Sequence, residues 1–187
     1  MLVELNFVGP FSVMEVDTLD LLNAPGIYLW AVQIPSGVYR VTYVGETGRT
    51  FFQRVKEHII QKLGGNYRIC DTEALKRGEE VVVWNGLWRS GTRRKVGELL
   101  ADFETISAIA KANLLVEQLF VAEIECDNEL RRHIEWGIVQ SLRSSATASS
   151  LLPKDIRYRA SRDDTPLPHI VINCPVTVEG LPNNIKL

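Results

Sequence analysis

The sequence predicts an α+β fold, because stretches with strand composition alternate with stretches that carry the apolar stripe of a helix. Hydrophobic residues form 45% of the 187 residues and charged residues 24%, close to the average of globular proteins. A chain of this length is expected to form one domain, residues 1–187, with a hydrophobic core. The strands are predicted over residues 26–34, 38–44, 81–84, 119–124 and 170–172, and the helices over residues 51–63, 97–115 and 129–143.

The first two strands are predicted to form a hairpin. The run from Gly26 to Ile34 is rich in β-branched and aromatic residues, which favour strands. Residues 35–37, Pro-Ser-Gly, have turn composition, and residues 38–44 form a second strand-like run. Because so short a turn joins neighbours that run in opposite directions, the two strands are expected to be antiparallel.

A helix is predicted to follow the hairpin, over residues 51–63. Thr50 can cap its N-terminus, and the glycines at 64 and 65 end it. Its apolar residues recur every four positions, at Phe51, Val55, Ile59 and Leu63, which is the spacing of one helix face.

The second half of the chain carries two more helices with predicted buried faces. In the helix at 97–115 we expect the inner side to carry Leu99, Leu100, Phe103, Ile106, Ile109 and Ala110. In the helix at 129–143 we expect it to carry Ile134, Ile138 and Leu142. Residues 144–150 are rich in Ser, Ala and Thr and read as a loop or linker, and the Pro- and Asn-rich end reads as a tail.

Composition excludes several classes of protein. The formal net charge of −2 excludes a uniformly basic nucleic-acid coat protein, but not a local basic face. Residues 40–68 hold six Arg or Lys against two Glu, whereas residues 98–135 hold nine acidic residues against three basic ones. No stretch has the ~20 apolar residues of a membrane span, so no membrane association is expected. The three separated cysteines and the start of the chain without a signal peptide favour a cytoplasmic protein with reduced thiols.

The residues with the strongest chemical pattern surround the loop between the hairpin and the first helix. Tyr28 and Tyr43 lie on the two strands of the hairpin, and the helix carries Arg54 and His58 four residues apart, on one face. An arginine binds two phosphate oxygens in a planar fork, and a histidine can move a proton near neutral pH. This set of groups suits a phosphate ester.

Four short motifs occur in an order typical of one family. They are Gly26-Ile27-Tyr28, Tyr43-Val44-Gly45, Gly48-Arg49-Thr50 and Arg54-Val55-Lys56-Glu57-His58. In this order and spacing they resemble the GIY-YIG nuclease superfamily. The resemblance implies a small three-stranded antiparallel sheet flanked by helices, with a core at about 25–64 and 117–143. A mixed α/β insertion at about 65–116 and a C-terminal extension at about 144–187 would complete the single domain.

The resemblance also implies a reaction and a role for each matching residue. The reaction is hydrolysis of DNA phosphodiester bonds by in-line attack of water with one divalent metal ion, Mg²⁺ or Mn²⁺. Tyr28 matches the tyrosine that contacts the attacking water, and Tyr43 matches the one near the phosphate. Arg54 matches the arginine that stabilises charge on the phosphoryl group, His58 a helper in proton transfer, and Glu135 the glutamate that holds the metal. Either Tyr28 or His58 can be the general base at this point.

The sequence departs from the family pattern at two places. Some members carry a lysine just after the second motif, where this chain has Glu46 and Thr47. Many members carry an asparagine shortly after the metal-binding helix, and no Asn occurs between Glu135 and Asn173. These departures keep a second hypothesis open, namely a catalytically silent DNA-binding or assembly module with the same fold.

The predicted contacts to DNA are basic residues outside the catalytic set. Phosphate contacts of this kind give affinity without reading sequence. Trp84 and Trp88 could stack on bases, but core packing is the favoured interpretation for both. The sequence does not decide whether RNA is cleaved, or whether the role lies in restriction, repair or a mobile element. It also does not decide between a homodimer and a separate specificity partner. The predicted contacts are Arg49, Lys56, Arg68, Arg93, Arg94, Lys95, Arg157 and Arg159.

Overall fold

The computed structural model describes residues 2–88, 95–154 and 168–185 and shows an α+β fold. Its first half has the strands β1 (Leu2–Asn6), β2 (Val8–Ser12), β3 (Gly26–Gln33), β4 (Tyr39–Thr47), β5 (Ile69–Cys70) and β6 (Val82–Trp84), the helices α1 (Phe51–Leu63) and α2 (Thr72–Lys76), and two 3₁₀ helices, Val13–Thr18 and Asp20–Asn23. Its second half has α3 (Lys95–Ala101), α4 (Phe103–Val116), β7 (Glu117–Glu123), α5 (Asn128–Arg143), β8 (His169–Asn173) and β9 (Asn184–Ile185).

The central sheet has four strands in the order β2-β7-β3-β4, and all neighbouring pairs are antiparallel. The strands predicted at 26–34, 38–44 and 119–124 are therefore adjacent in one sheet, and β3 lies between β4 and β7. The fourth strand, β2, was not predicted, because its Gly9-Pro10 pair has turn composition. β4 is an edge strand of this sheet, and one side of it is open to the site described below.

The two faces of the central sheet are both covered. Alternation along β3 places Ile27 and Leu29 in one hydrophobic cluster and Tyr28 and Trp30 in another. The first cluster includes buried residues of α5, and the second includes Phe51 and other residues of α1. The two helices therefore pack on opposite faces of the sheet, and β3 is buried on both sides.

The predicted helix after the hairpin is confirmed, with the same bounds and the same cap. The Thr50 hydroxyl accepts a hydrogen bond from the backbone N–H of Gln53 at 3.2 Å. Asp127 caps α5 in the same way, through the backbone N–H of Leu130 at 2.8 Å. The predicted buried face of α5 is also confirmed, because Ile134 and its two successors on that face have no exposed surface.

The single helix predicted over residues 97–115 is wrong, because α3 and α4 are separated by Asp102. Leu99, Ile106 and Ala110 are buried as expected, but Leu100 is 71% exposed and Phe103 is 44% exposed. The break changes the helical phase, so residues that would share one face of a continuous helix point in different directions.

The ends of the described chain pack together in a second sheet. β1 pairs in parallel with β8, and β8 pairs with β9 in an antiparallel ladder. The predicted strand at 170–172 is therefore confirmed, whereas the prediction of a C-terminal tail is wrong, since Val178 and Ile185 are buried. The Ser-rich segment at 144–150 is a series of turns that packs on the core through Ala148.

Within the described parts of the chain, no helix is both long and apolar enough to cross a membrane.

Candidate functional site

The tyrosine of the first motif depends on the glycine of the second. Tyr28 on β3 lies directly across from Gly45 on β4. A Cβ atom at position 45 would lie 2.3 Å from Cζ and 2.4 Å from the hydroxyl oxygen of Tyr28, so only glycine leaves room for the ring. Gly26 has a similar role, because its φ is +154° and a Cβ there would lie 2.2 Å from the carbonyl oxygen of Ala122.

Tyr43 lies on the same face of the sheet as Tyr28, because it pairs with Trp30, which is two residues from Tyr28 on β3. The two rings pack side by side with 6.0 Å between their centroids. The next residue of β3, Ala31, pairs with Val41, so Thr42 is the extra residue of a β-bulge in β4. The bulge changes the parity of β4, and Val41 and Val44 both join the hydrophobic cluster that includes α5. Thr42 itself donates a hydrogen bond to the Trp30 carbonyl at 3.2 Å.

Arg54 on α1 lies among three phenols. Its Nε donates to the Tyr28 hydroxyl at 3.0 Å, and its Nη1 lies 3.4 Å from a carboxylate oxygen of Glu57. Burial raises the pKa of Tyr43 and of Tyr67, and the positive charge of Arg54 opposes that rise in both. The Arg54 side chain is 26% exposed, so it is open to solvent and to an anion from it.

Tyr28 is held as a neutral phenol. Its side chain is 0% exposed, and burial, together with Tyr43, raises its pKa well above the ordinary value of 10. A phenol of this kind donates or accepts hydrogen bonds but does not ionise near neutral pH. Its observed contact is with Arg54, whose guanidinium it orients.

His58 lies one helical turn beyond Arg54 and is buried among aromatic rings. It stacks on Trp30 at 5.2 Å and contacts the rings of Tyr43 at 5.3 Å and Tyr67 at 4.9 Å. Burial, with smaller contributions from Lys62 and Arg54, lowers its pKa well below 6.5, so the imidazole is neutral. Its Nδ1 has no hydrogen-bond partner among the described residues. The Nδ1 atom is itself buried, and the lowered pKa makes this imidazole a weaker base than a solvated histidine.

Glu135 on α5 reaches the same edge of the sheet from the opposite face. Its carboxylate accepts a hydrogen bond from the backbone N–H of Glu46, near the end of β4. Burial, and then the negative charge of Glu46, raise the pKa of Glu135 to about 7, against weaker opposing effects of Arg54 and Arg132. The negative charge of Glu135 also contributes to the raised pKa of Tyr43, after burial and against Arg54.

Glu46 is anchored by the basic residues of α5. Nε of Arg131 lies 3.3 Å and Nε of Arg132 lies 3.9 Å from its two carboxylate oxygens. An ordinary surface role for Glu135 would pair it with one of these arginines, which are within a turn of it on α5. Both arginines pair with Glu46 instead. Glu135 accepts from the backbone N–H of Glu46 and lies near the negative charge of the Glu46 carboxylate.

Glu135 is the carboxylate of this site that could hold a divalent metal ion, because Glu46 is paired with Arg131 and Arg132. In the described ranges no group of three or more His, Cys, Asp or Glu side chains is placed to hold a metal ion. Mg²⁺ commonly keeps several waters and binds through one or two carboxylates plus substrate phosphates, so three protein ligands are not needed. Glu135, desolvated and next to Glu46, supplies the negative charge that such an ion offsets.

The predicted DNA contacts have different outcomes. Arg49 is exposed but forms two hydrogen bonds with Glu57, at 2.6 and 2.7 Å, and Arg68 is paired with Glu80. Lys56 is exposed on α1, and the Lys95 ammonium lies 5.9 Å from the ring centre of Trp84. Four further predicted contacts lie outside the described residues: Arg93, Arg94, Arg157 and Arg159.

The sequence did not point to two residues of this site. Tyr67 follows the glycine pair that ends α1, and nothing in its spacing indicates that it returns to Arg54 and His58. Glu46 occupies the place of a family lysine, and the only available signal was that an acid stood there. The tryptophans also differ from each other, since Trp84 is buried as predicted but Trp88 is 63% exposed.

Comparison with known proteins adds no related protein to this description. No family model, curated protein or solved structure matches the chain.

Proposed function

We propose that this protein is a divalent-metal-dependent endonuclease of GIY-YIG type that hydrolyses DNA phosphodiester bonds. The observation that carries the proposal is the hydrogen bond from Arg54 to Tyr28, at 3.0 Å, within a site that also includes Tyr43, His58 and Glu135. These five side chains come from two strands and two helices.

In the proposed reaction Arg54 binds the scissile phosphate. Tyr28 accepts the hydrogen bond from Nε of Arg54 and so fixes the orientation of the guanidinium. The two terminal nitrogens of the guanidinium would then face the phosphate oxygens and stabilise the charge that develops on them. Tyr43, which is partly exposed, is the phenol that can hydrogen-bond to the attacking water. The water oxygen bonds to phosphorus, and the bond from phosphorus to the 3′ oxygen breaks.

The proton of the attacking water goes to His58 in this proposal. The imidazole is neutral at physiological pH and can accept a proton as a weak base, whereas Tyr28 would need to be ionised to accept one. This assigns Tyr28 the role of positioning Arg54. A bound Mg²⁺ or Mn²⁺ ion, held through Glu135, would neutralise charge on the phosphate and on the leaving oxygen.

The test is a plasmid-nicking assay in Mg²⁺ and in Mn²⁺, with an RNA digest in parallel. Wild type is expected to cleave DNA, and Arg54→Ala and Glu135→Ala are each expected to lose at least about 100-fold in rate. Lys111→Ala and Glu98→Ala, which remove exposed charges from α4 and α3, are matched controls and should cleave like wild type. Cleavage that persists in Arg54→Ala would refute the proposed site.

One observation favours a second candidate function. The Tyr28 side chain has no exposed surface, so the hydroxyl that the family places next to the attacking water does not reach solvent. A DNA-binding or assembly module that keeps the fold without catalysis would show this. Binding of duplex, flap and mismatched DNA without cleavage of any of them would favour the module over the nuclease.

A further inference from the structure

A cavity of about 410 Å³ adjoins the proposed phosphate site. Arg54, Tyr43 and His58 form the wall that it shares with that site, and the opposite wall comes from the segment that links α1 to β7. Its volume lies in the ~300–1,000 Å³ range of pockets that enclose small organic groups. An occupant of the cavity would therefore lie within a few ångströms of a phosphate bound at Arg54.

Aromatic rings form part of the walls of this cavity. Tyr67 contacts His58 on one side, at 4.9 Å, and meets Trp88 edge to face on the other, at 5.2 Å. Trp88 is 63% exposed although it lines the cavity, so its large ring is not part of the hydrophobic core. Exposed aromatic faces beside a phosphate-binding arginine are the elements with which proteins stack unpaired bases.

The deep side of the cavity is polar and charged. Lys62 and Glu117 form a buried ion pair there, and the Thr42 hydroxyl donates to Glu117 at 3.1 Å. An ammonium has three N–H donors and a carboxylate about four acceptor sites, so the pair retains capacity for another group. Nucleobases present donors and acceptors along one planar edge. The Lys62 ammonium offers donors to such an edge, and the Glu117 carboxylate offers acceptors.

We infer that the cavity takes one unpaired nucleobase of the DNA strand whose phosphate is bound at Arg54. The base would stack on Tyr67 or Trp88 and direct its polar edge toward Lys62 and Glu117. This inference rests on the proposed function, and it adds a substrate preference for DNA with an unstacked base next to the cleaved bond. Extrusion of a base from a duplex costs least where the base has no partner.

The test is a binding measurement in EDTA, where no cleavage intervenes, by fluorescence anisotropy. Three labelled duplexes differ at one position: fully paired, with a single bulged adenine, and with an abasic bulge that has the same backbone but lacks the base. Wild type is expected to bind the bulged adenine about tenfold tighter than the abasic bulge, since stacking of a base is worth ~1–3 kcal/mol. Trp88→Ala and Tyr67→Ala should bind the two bulges equally.

Two further variants control for folding and for general loss of affinity. Phe103→Ala removes an exposed aromatic ring from α4, away from the cavity, and should keep the tenfold preference. Trp88→Phe retains a stacking face and should restore most of it. Free deoxyadenosine monophosphate, titrated in parallel, should bind far more weakly than the bulged duplex, because the proposed occupant belongs to a strand.

The outcomes separate this inference from the proposed function. Equal binding of both bulges by wild type, no binding of any duplex, an unchanged preference in Trp88→Ala, or a free nucleotide that binds as well as the bulge would each overturn the inference. Cleavage in Mg²⁺ is scored separately. A preserved preference for the bulged base without cleavage would refute the nuclease and leave the base site standing.

Discussion

The raised pKa of Glu135 leads to a prediction in which stability and activity change in opposite directions. Replacement of Glu135 by Gln removes the ionisable group but keeps a side-chain oxygen that can accept the hydrogen bond from the backbone N–H of Glu46. In the folded protein the carboxylate is desolvated and lies next to the negative charge of Glu46. The variant should therefore be more stable than wild type wherever Glu135 is ionised.

The size of the effect follows from the pKa in the two states. The pKa rises from 4.5 to about 7 on folding, so between these values the folded state binds more protons and wild-type stability falls as pH rises. At about 1.4 kcal/mol for each pKa unit, ionised Glu135 costs the folded protein about 3 kcal/mol at pH 8. At pH 5 the cost is below about 1 kcal/mol, because the folded carboxyl group is protonated there.

The assay is thermal and urea unfolding of wild type and Glu135→Gln at pH 5 and pH 8, without divalent metal. Glu135→Gln should unfold about 6–12 °C higher at pH 8, since 1 kcal/mol moves Tm by about 2–4 °C in a chain of this size, and by much less at pH 5. Mg²⁺ should raise the Tm of wild type but not that of the variant, which should not cleave DNA.

The control is Glu98→Gln, an exposed glutamate on α3, whose stability should match wild type at both pH values. A Glu135→Gln variant that is no more stable than wild type at pH 8 would show that the carboxylate is not desolvated beside Glu46. The placement of Glu135 in this site would then be wrong.

Three further predictions concern the surroundings of the site. The lowered pKa of His58 makes wild type lose stability as pH falls from 7.5 to 5, since the unfolded imidazole takes up a proton more readily than the folded one, and His58→Phe should lack this loss in urea unfolding. Lys62→Met should destabilise by about 3 kcal/mol or more by calorimetry, because it leaves Glu117 buried and unpaired. Gly45→Ala should lower both Tm and cleavage, because its methyl group takes the space of the Tyr28 ring.

Each of these predictions has a result that contradicts it. An equal acid-induced loss in wild type and His58→Phe would assign it to other groups. A Lys62→Met variant as stable as wild type would mean that Glu117 finds another partner or accepts a proton. For Gly45→Ala, Gly37→Ala is the matched control, since both are glycines of the hairpin and a Cβ at Gly37 meets open space. Because Gly37 has a positive φ, Gly37→Ala is expected to lower Tm somewhat through backbone strain alone. A Gly45→Ala variant that lowers Tm no more than Gly37→Ala would contradict the close packing of Tyr28 against position 45.

The sequence predicted the elements whose signal is local. The strand at 26–34 follows from its β-branched and aromatic composition, and the helix at 51–63 and the face of α5 that carries Ile134 follow from a period of about 3.6 residues within one segment. The prediction of one helix over residues 97–115 was wrong because it, too, used only a local pattern. Its apolar pattern continues through Asp102, and only packing against the rest of the chain shows that the helix breaks there.

What the sequence alone determined, therefore, is the hairpin, the main helices and the order of the motif residues. Contacts between distant segments decided the rest. The pairing of β3 with β4 places Tyr43 on the face of Tyr28, the end of β4 places Glu46 beside Glu135, and the insertion returns Tyr67 to Arg54. Such placements depend on how whole elements pack, and a local pattern of residue types does not record which surfaces will meet.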